Sequence, residues 1–156
     1  MSKVEPASAQ AIEALQGATY ASPWFVIDQQ LVDQFADVTG DHQFIHVDVE
    51  RAAQTPFGGT IAHGFLLLAI LPQLHAQSDR PPVPDVTMGI NYGFDRVRFV
   101  SPVRTGSRVR ARFTVERLTP VQPGTWEQAL DVTLEVEGGE RPAVVARWLS
   151  RFTVSA

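Results

Sequence analysis

Apolar positions follow two regimes along the chain, helical spacing in the first half and two-residue alternation in the second. Leu31, Val32, Phe35 and Val38 recur at the intervals of one helix face. Asp28 before them suits an N-cap, and Gly40 after them can take the left-handed conformation that ends a helix. Asp48 can cap a further short helix over residues 49–54. Residues 61–77 are apolar on nearly every side as far as Leu71, the pattern of a helix buried among other elements, and Pro72 predicts a kink or change of direction. Upstream, residues 7–15 are Ala-rich with Ile12 and Leu15 on one side, which predicts a short helix packed loosely at the periphery. Residues 24–27 read as a short β run.

After a proline-rich connector at residues 80–84 the period changes to two. Residues 86–100 are strand-like, with Gly89 and Gly93 marking bulges or bends and a change of phase near Asp95. Val109, Ala111, Phe113 and Val115 share one face of a strand over residues 108–116. Trp126, Leu130, Val132, Leu134 and Val136 repeat the pattern, Gly138-Gly139 supplies a hairpin turn, and Val144, Ala146, Trp148, Phe152 and Val154 return in phase. These elements predict an α+β fold, an antiparallel meander wrapped around one long buried central helix, in a single domain over residues 1–156 with residues 1–20 peripheral. A sheet with one covering helix keeps open edges, and pairing two copies edge to edge closes them. The expected partner is therefore a second copy of the chain, in a homodimer with a continuous sheet.

Composition narrows the function. The chain has 156 residues, 44% of them hydrophobic and 19% charged, which fits one folded domain and excludes a disordered chain. A formal net charge of −4 offers phosphodiester backbones no overall attraction, so nucleic acid is not an expected partner. The absence of cysteine removes disulfides, thiol nucleophiles and Cys-ligated metals together. The longest apolar run, residues 65–71, is too short to cross a bilayer, and residues 1–16 lack a basic start followed by an apolar run, so a soluble, cytoplasmic protein with no membrane partner is expected.

The densest set of reactive groups is Thr39-Gly40-Asp41-His42-Gln43-Phe44-Ile45-His46-Val47-Asp48, in a segment with no helical or strand period. Asp41 and His46 are five positions apart, and on a loop folded over a pocket a carboxylate and an imidazole can hold one water for proton transfer. The spacing alone leaves open that Asp41 merely ends a helix and that His46 is a satisfied loop histidine. It also admits a metal held by His42 and His46, but residues so spaced ligate together from one helical face, and Gly40 with the aromatic and β-branched residues that follow disfavours a helix there. No metal is expected.

The run from Phe35 to Ala52, with Gly40-Asp41 and His46-Val47-Asp48, resembles the signature of the MaoC-like (R)-specific enoyl-CoA hydratases, Gly-Asp-x-Asn-Pro-hydrophobic-His-x-Asp. Pro56-Phe57-Gly58-Gly59-Thr60-Ile61-Ala62-His63-Gly64-Phe65-Leu66 is similar to that family's loop into its central helix. Ile90-Asn91-Tyr92-Gly93, Val97-Arg98-Phe99 and Ser101-Pro102-Val103 resemble the NodN-like branch in particular. Gln43 and Phe44 replace the Asn and Pro of the signature, which bears on the floor of the pocket and the acyl chain it prefers.

The resemblance implies a hot-dog fold, Asp41 and His46 as the catalytic pair, and the backbone N–H of Gly64 as donor to a thioester carbonyl. It implies (R)-specific hydration of trans-2-enoyl-CoA, reversible as dehydration, with a CoA or acyl-carrier-protein thioester as substrate and no cofactor. Phe44, Gly59, His63 and Asn91 are the further candidates for substrate contact. For His63 a loop-anchoring role is the plainer expectation, for Asn91 a strand hydrogen bond is equally open, and His42 and His75 are expected at the surface or at helix ends. Two other functions fit the same fold, an acyl-CoA thioesterase and a non-catalytic acyl-binding or partner subunit of a dehydratase.

Overall fold

The structure, a computed structural model, describes residues 7–155. The helix α1 (Ala7–Ala14) leads into the short strands β1 (Thr19–Ala21) and β2 (Phe25–Val26). The helices α2 (Gln29–Thr39), α3 (Phe44–Val47), α4 (Val49–Ala53), α5 (Gly64–Ala69) and α6 (Leu71–Ala76) follow, and then four long strands, β3 (Val86–Phe99), β4 (Arg108–Gln122), β5 (Thr125–Val136) and β6 (Val144–Val154). The α2 boundaries are where the sequence puts them. The Asp28 carboxylate accepts from the Leu31 N–H at 2.8 Å, and Gly40 closes the helix at φ 80°, a value that costs a residue with a Cβ. Asp48 caps α4 in the same way through the Arg51 N–H at 3.0 Å.

All strands form one antiparallel sheet in the order β1-β4-β5-β6-β3, with β2 also on β4. Strands β4, β5 and β6 are the predicted meander. The strand β3 departs from it: the first long strand crosses over to pair with the last, β6, and so lies at the sheet edge. Its register shifts at Asn91/Gly93 and Phe94/Arg96, where Gly93 and the change of phase near Asp95 predict irregularity. The alternation of β4 also runs beyond residue 116, to a hairpin at Pro123-Gly124 with Gly124 at φ 74°.

The core lies between the α5–α6 pair and the concave face of the sheet. Leu66, Leu67, Leu71 and Leu74 are buried against Val109, Phe113, Leu130, Val132 and Leu134, the inward positions of alternating strands. Burial of each such leucine contributes about 1.5–3 kcal/mol. The predicted single helix is in fact two. Ile61 and Ala62 are extended, bonded to the segment around Arg104 and Val103, so α5 begins only at Gly64. A break follows at Ile70, because Pro72 has no N–H to return to the Leu68 carbonyl. Nor is the helix apolar all round because it is enclosed: Phe65 is 71% exposed, and Leu68 is only partly covered.

The N-terminal segment corrects another expectation. It is not loosely packed, since Ile12 and Leu15 are fully buried and Gly17 and Ala18 bond to Val115 on β4. Tyr20 then enters the core against Phe113. No helix among the described residues is long and apolar enough to cross a membrane.

Candidate active site

Where α2 ends, the chain turns through Asp41–Gln43 into the single turn α3, which carries His46 inward. His46 is buried, and its Nδ1–H donates to the Ile61 carbonyl at 2.7 Å. That bond puts the proton on Nδ1 and leaves Nε2 as a free acceptor. Burial, the largest influence, pushes the imidazole below the ordinary histidine value, and the neighbouring His63 pushes the same way against the Ile61 carbonyl and Asp41. The ring is therefore neutral near pH 7 and able to take a proton.

Asp41 lies on the exposed side of the same place. Its carboxylate accepts the Gln43 N–H at 3.3 Å, an Asx-type turn that orients the side chain. His63, just before α5, donates from Nε2 to the Asp41 carbonyl at 2.9 Å and stacks on His46 with ring centroids 3.8 Å apart. One buried ring thus ties the Asp41 loop to the start of α5 and fixes the plane of His46. Donor atoms of Asp41, His46 and His63 lie within 4.8 Å of one another, close enough to hold one water or one small cation.

These groups open onto a cavity of about 380 Å³, lined also by Phe57, Gly64, Phe65, Leu67, Phe99 and Val103. Its walls are apolar except for Ser101 and the Asp41/His46/His63 corner. Gly64 is the first residue of α5, where an N–H has no intrahelical acceptor. A Cβ at Gly64 would come within 2.9 Å of the Phe99 ring, so glycine is what allows the backbone to meet the cavity under that ring. Asp41, His46, His63 and Gly64 are brought together as the sequence predicts.

The MaoC-like domain matches residues 11–138. The chain belongs to the MaoC-like dehydratase family. It is 52% identical to nodulation protein N of Rhizobium meliloti (strain 1021) over 130 residues, covering 83% of this chain and 80% of that one. It is 50% identical to 3-hydroxyacyl-thioester dehydratase Z of Mycobacterium tuberculosis over 131 residues, 84% and 85% of the two chains. The solved (R)-hydratase of A. caviae, described as involved in PHA biosynthesis, superposes with a TM-score of 0.70 at 26% identity, over 86% of this chain and 94% of that one. The helix pair wrapped by an antiparallel sheet is the hot-dog fold that the resemblance implies.

Other MaoC-like expectations need correction. Phe44 does not line the cavity: it is two positions from His46 on the α3 turn, so it points the opposite way, under the Arg51 guanidinium at 4.2 Å. Gly59 is not at the cavity either, and the space a side chain would need is filled by Arg104, whose Cζ would stand 2.9 Å from a Cβ. Asn91 takes the strand role, accepting from Trp148 Nε1–H at 3.2 Å, and borders a different cavity. His42 is exposed and turned to Asp37 at 2.8 Å, so the grouping that could hold a cation is Asp41, His46 and His63 rather than a His42/His46 pair. His75 is in the last turn of α6, one of the two places expected for it, and is partly buried there among Tyr20, Phe113 and Trp148.

The aromatic walls are what the residue pattern did not disclose. Phe57, Phe65 and Phe99 are 37–71% exposed, and it is their exposure at the cavity that marks them as pocket residues.

Proposed function

We propose that the chain adds water across the double bond of a trans-2-enoyl thioester to give an (R)-3-hydroxyacyl thioester, and runs the reverse dehydration. Hydration and dehydration are the chemistry of the family, as the dehydratase and hydratase relatives attest. The observation that carries the finer reading is that ligand atoms of Asp41, His46 and His63 lie within 4.8 Å of one another at the cavity that Gly64 also lines.

Water held by Asp41 and His46 gives a proton to the pair as its oxygen bonds to C3. Electrons of the double bond move toward the thioester carbonyl oxygen, and the Gly64 N–H meets the charge that develops there. The proton returns to C2 from the same face, so that one water is added and the pair is regenerated. The walls of Phe65, Leu67 and Phe99 suit an acyl chain, and this sequence of steps calls for no metal or organic cofactor.

The edge strand β3 supports the homodimer. Met88, Ile90 and Tyr92 lie 50–55% exposed on one face of it, an apolar stripe beside an edge that pairs with no further strand among the described residues and that a second copy of the same strand would cover.

Loss of enoyl absorbance from crotonyl-CoA tests the assignment, with free-thiol release followed in parallel. The expected result is hydration without thiol release, and Asp41→Asn should reduce it by about a hundredfold or more while leaving the melting temperature within a few degrees. Thiol release from the same substrate would identify a thioesterase instead, and a purified chain inactive toward enoyl thioesters would defeat the reading.

A further inference from the structure

A second cavity, of about 300 Å³, lies beside the other end of the helix pair, between α6 and the strands β3, β5 and β6. Pro72, Trp148 and Phe152 make its apolar walls, and His75, Arg80, Asn91, Gln128 and Ser150 its polar ones. None of these residues has a part in the hydration chemistry above. What they lack in hydrogen-bond partners describes what would fit.

The Tyr20 hydroxyl lies 2.9 Å from Nε2 of His75. Burial pushes Tyr20 up to about 12, so it keeps its proton and donates it. Burial, with Arg80 adding to it, pushes His75 down to about 4, so the ring is neutral. A neutral ring that accepts at Nε2 carries its proton on Nδ1, and that N–H has no hydrogen-bond partner among the described residues. Asn91 accepts from Trp148 through Oδ1, which leaves its NH2 group unused.

Gln128 is 4% exposed and gives its Nε2–H to Ser150 Oγ at 2.9 Å, so the serine proton is free for another acceptor and Gln128 Oε1 has no partner. With the amide turned over, Ser150 would donate to Gln128 and an NH2 would be left instead, so one buried polar atom of the pair stays unmatched either way. Arg80 Nε is buried without a partner, and no carboxylate stands within 4.0 Å of its guanidinium among the described residues. Arg151, by contrast, is held by Glu127 through two hydrogen bonds of 3.0 and 2.8 Å.

Donors of His75, Asn91 and Ser150 thus face the same cavity as a guanidinium that has the Tyr20 hydroxyl and the Phe152 ring beside it but no carboxylate, with apolar walls opposite. The buried Arg80 Nε–H lacks a partner, which is costly, and an anionic acceptor beside it would supply one. We propose that this cavity binds a carboxylate on a short apolar stem, with the carboxylate facing Arg80, His75, Asn91 and Ser150 and the stem lying against Pro72, Trp148 and Phe152. The ligand is either a free carboxylic acid or an acyl thioester whose far end carries a carboxylate.

Calorimetric titration of the full chain with sodium hexanoate and with 1-hexanol tests this, because the two share a stem and differ in charge. Hexanoate is expected to bind about tenfold more tightly or better. Arg80→Leu should abolish that preference, and Ser150→Ala, a smaller change that keeps the cavity, should weaken hexanoate several-fold with the circular dichroism spectrum retained. Equal affinity for the two ligands, no binding of hexanoate, or hexanoate affinity unaltered in both variants overturns the proposal.

A second arm separates the sources. Hexanoate that leaves crotonyl-CoA hydration untouched identifies the free acid. Hexanoate that competes with the thioester, together with a higher kcat/KM for a trans-2-enoyl-CoA bearing a terminal carboxylate than for its methyl-ended equivalent, identifies the acyl terminus. The titration does not depend on turnover, so a chain that hydrates no thioester would sink the hydratase reading and leave this site standing.

Discussion

His46 and His75 stand at opposite ends of the same helix pair, and both are pushed below the ordinary histidine value chiefly by burial. Their neighbours make them different groups. His46 gives Nδ1–H to a backbone carbonyl and keeps Nε2 open toward a cavity, with a carboxylate beside it that can steady a proton once taken. His75 has Nε2 occupied by Tyr20 and a guanidinium nearby that opposes protonation. Desolvation alone therefore does not make a base. A free lone pair and an acid within reach do, and only the first histidine has both.

The largest effect expected from breaking this contrast is in turnover. His46→Gln removes the imidazole that accepts the proton, and kcat for crotonyl-CoA hydration should fall by about a thousandfold. The wild-type pH profile sharpens the same point. Because the folded pKa of His46 lies below 6.5, the neutral ring persists as pH falls through 6.5, and the acid limb of kcat/KM should begin only at lower pH. An acid limb centred above 6.5 would show that the carboxylate, and not burial, dominates this histidine.

The acid end of the comparison concerns stability. His75 has a folded pKa of about 4 against 6.5 unfolded, so the unfolded chain binds the extra proton in between. Its neutral, buried state is fully accommodated above pH 6.5, and stability is lost as pH falls from there toward 4, by about 3 kcal/mol in all. His75→Phe has no such proton to gain. Urea unfolding at pH 7 and pH 4 should show the gap between wild type and variant shifting by that amount in the variant's favour at acid pH, the carboxylates being common to both. Parallel pH dependence in the two proteins would mean that His75 titrates as an exposed group.

How far each end could be read from sequence follows from the same physics. The Asp41/His46 part of the site is local: caps at Asp28 and Gly40 and a five-residue separation are visible as residue types in order, whereas Gly64 lies inside a helix expected from residue 61 and its role comes with the resemblance. The strand faces of β4, β5 and β6 are legible for the same reason, since alternation is a short-range pattern. The cavity around His75 is not local. Tyr20, His75, Asn91 and Ser150 are remote in the chain, and only the crossover of β3 to β6 brings the last two side by side. Phe44 shows the limit from the other direction, because a residue inside the recognisable motif still turned away once α3 formed a helical turn instead of a loop. Pro72 was readable as an interruption, yet the break falls at Ile70, two residues earlier, where the missing hydrogen bond is felt.

The smallest effect belongs to His42, which sits four residues from His46 inside the same motif and completes the contrast. Its ring is exposed, and the hydrogen bond to Asp37 raises its pKa, the opposite direction to the two buried histidines. Desolvation opposes this shift without reversing it, and both partners are exposed, so the pair is a surface contact of little consequence. His42→Ala should leave hydration of crotonyl-CoA within about twofold of wild type at every pH. If the loss approached that of His46→Gln, the ring would have to leave Asp37 and reach the cavity during turnover, and the division between a proton-accepting His46 and a solvent-facing His42 would have to be redrawn.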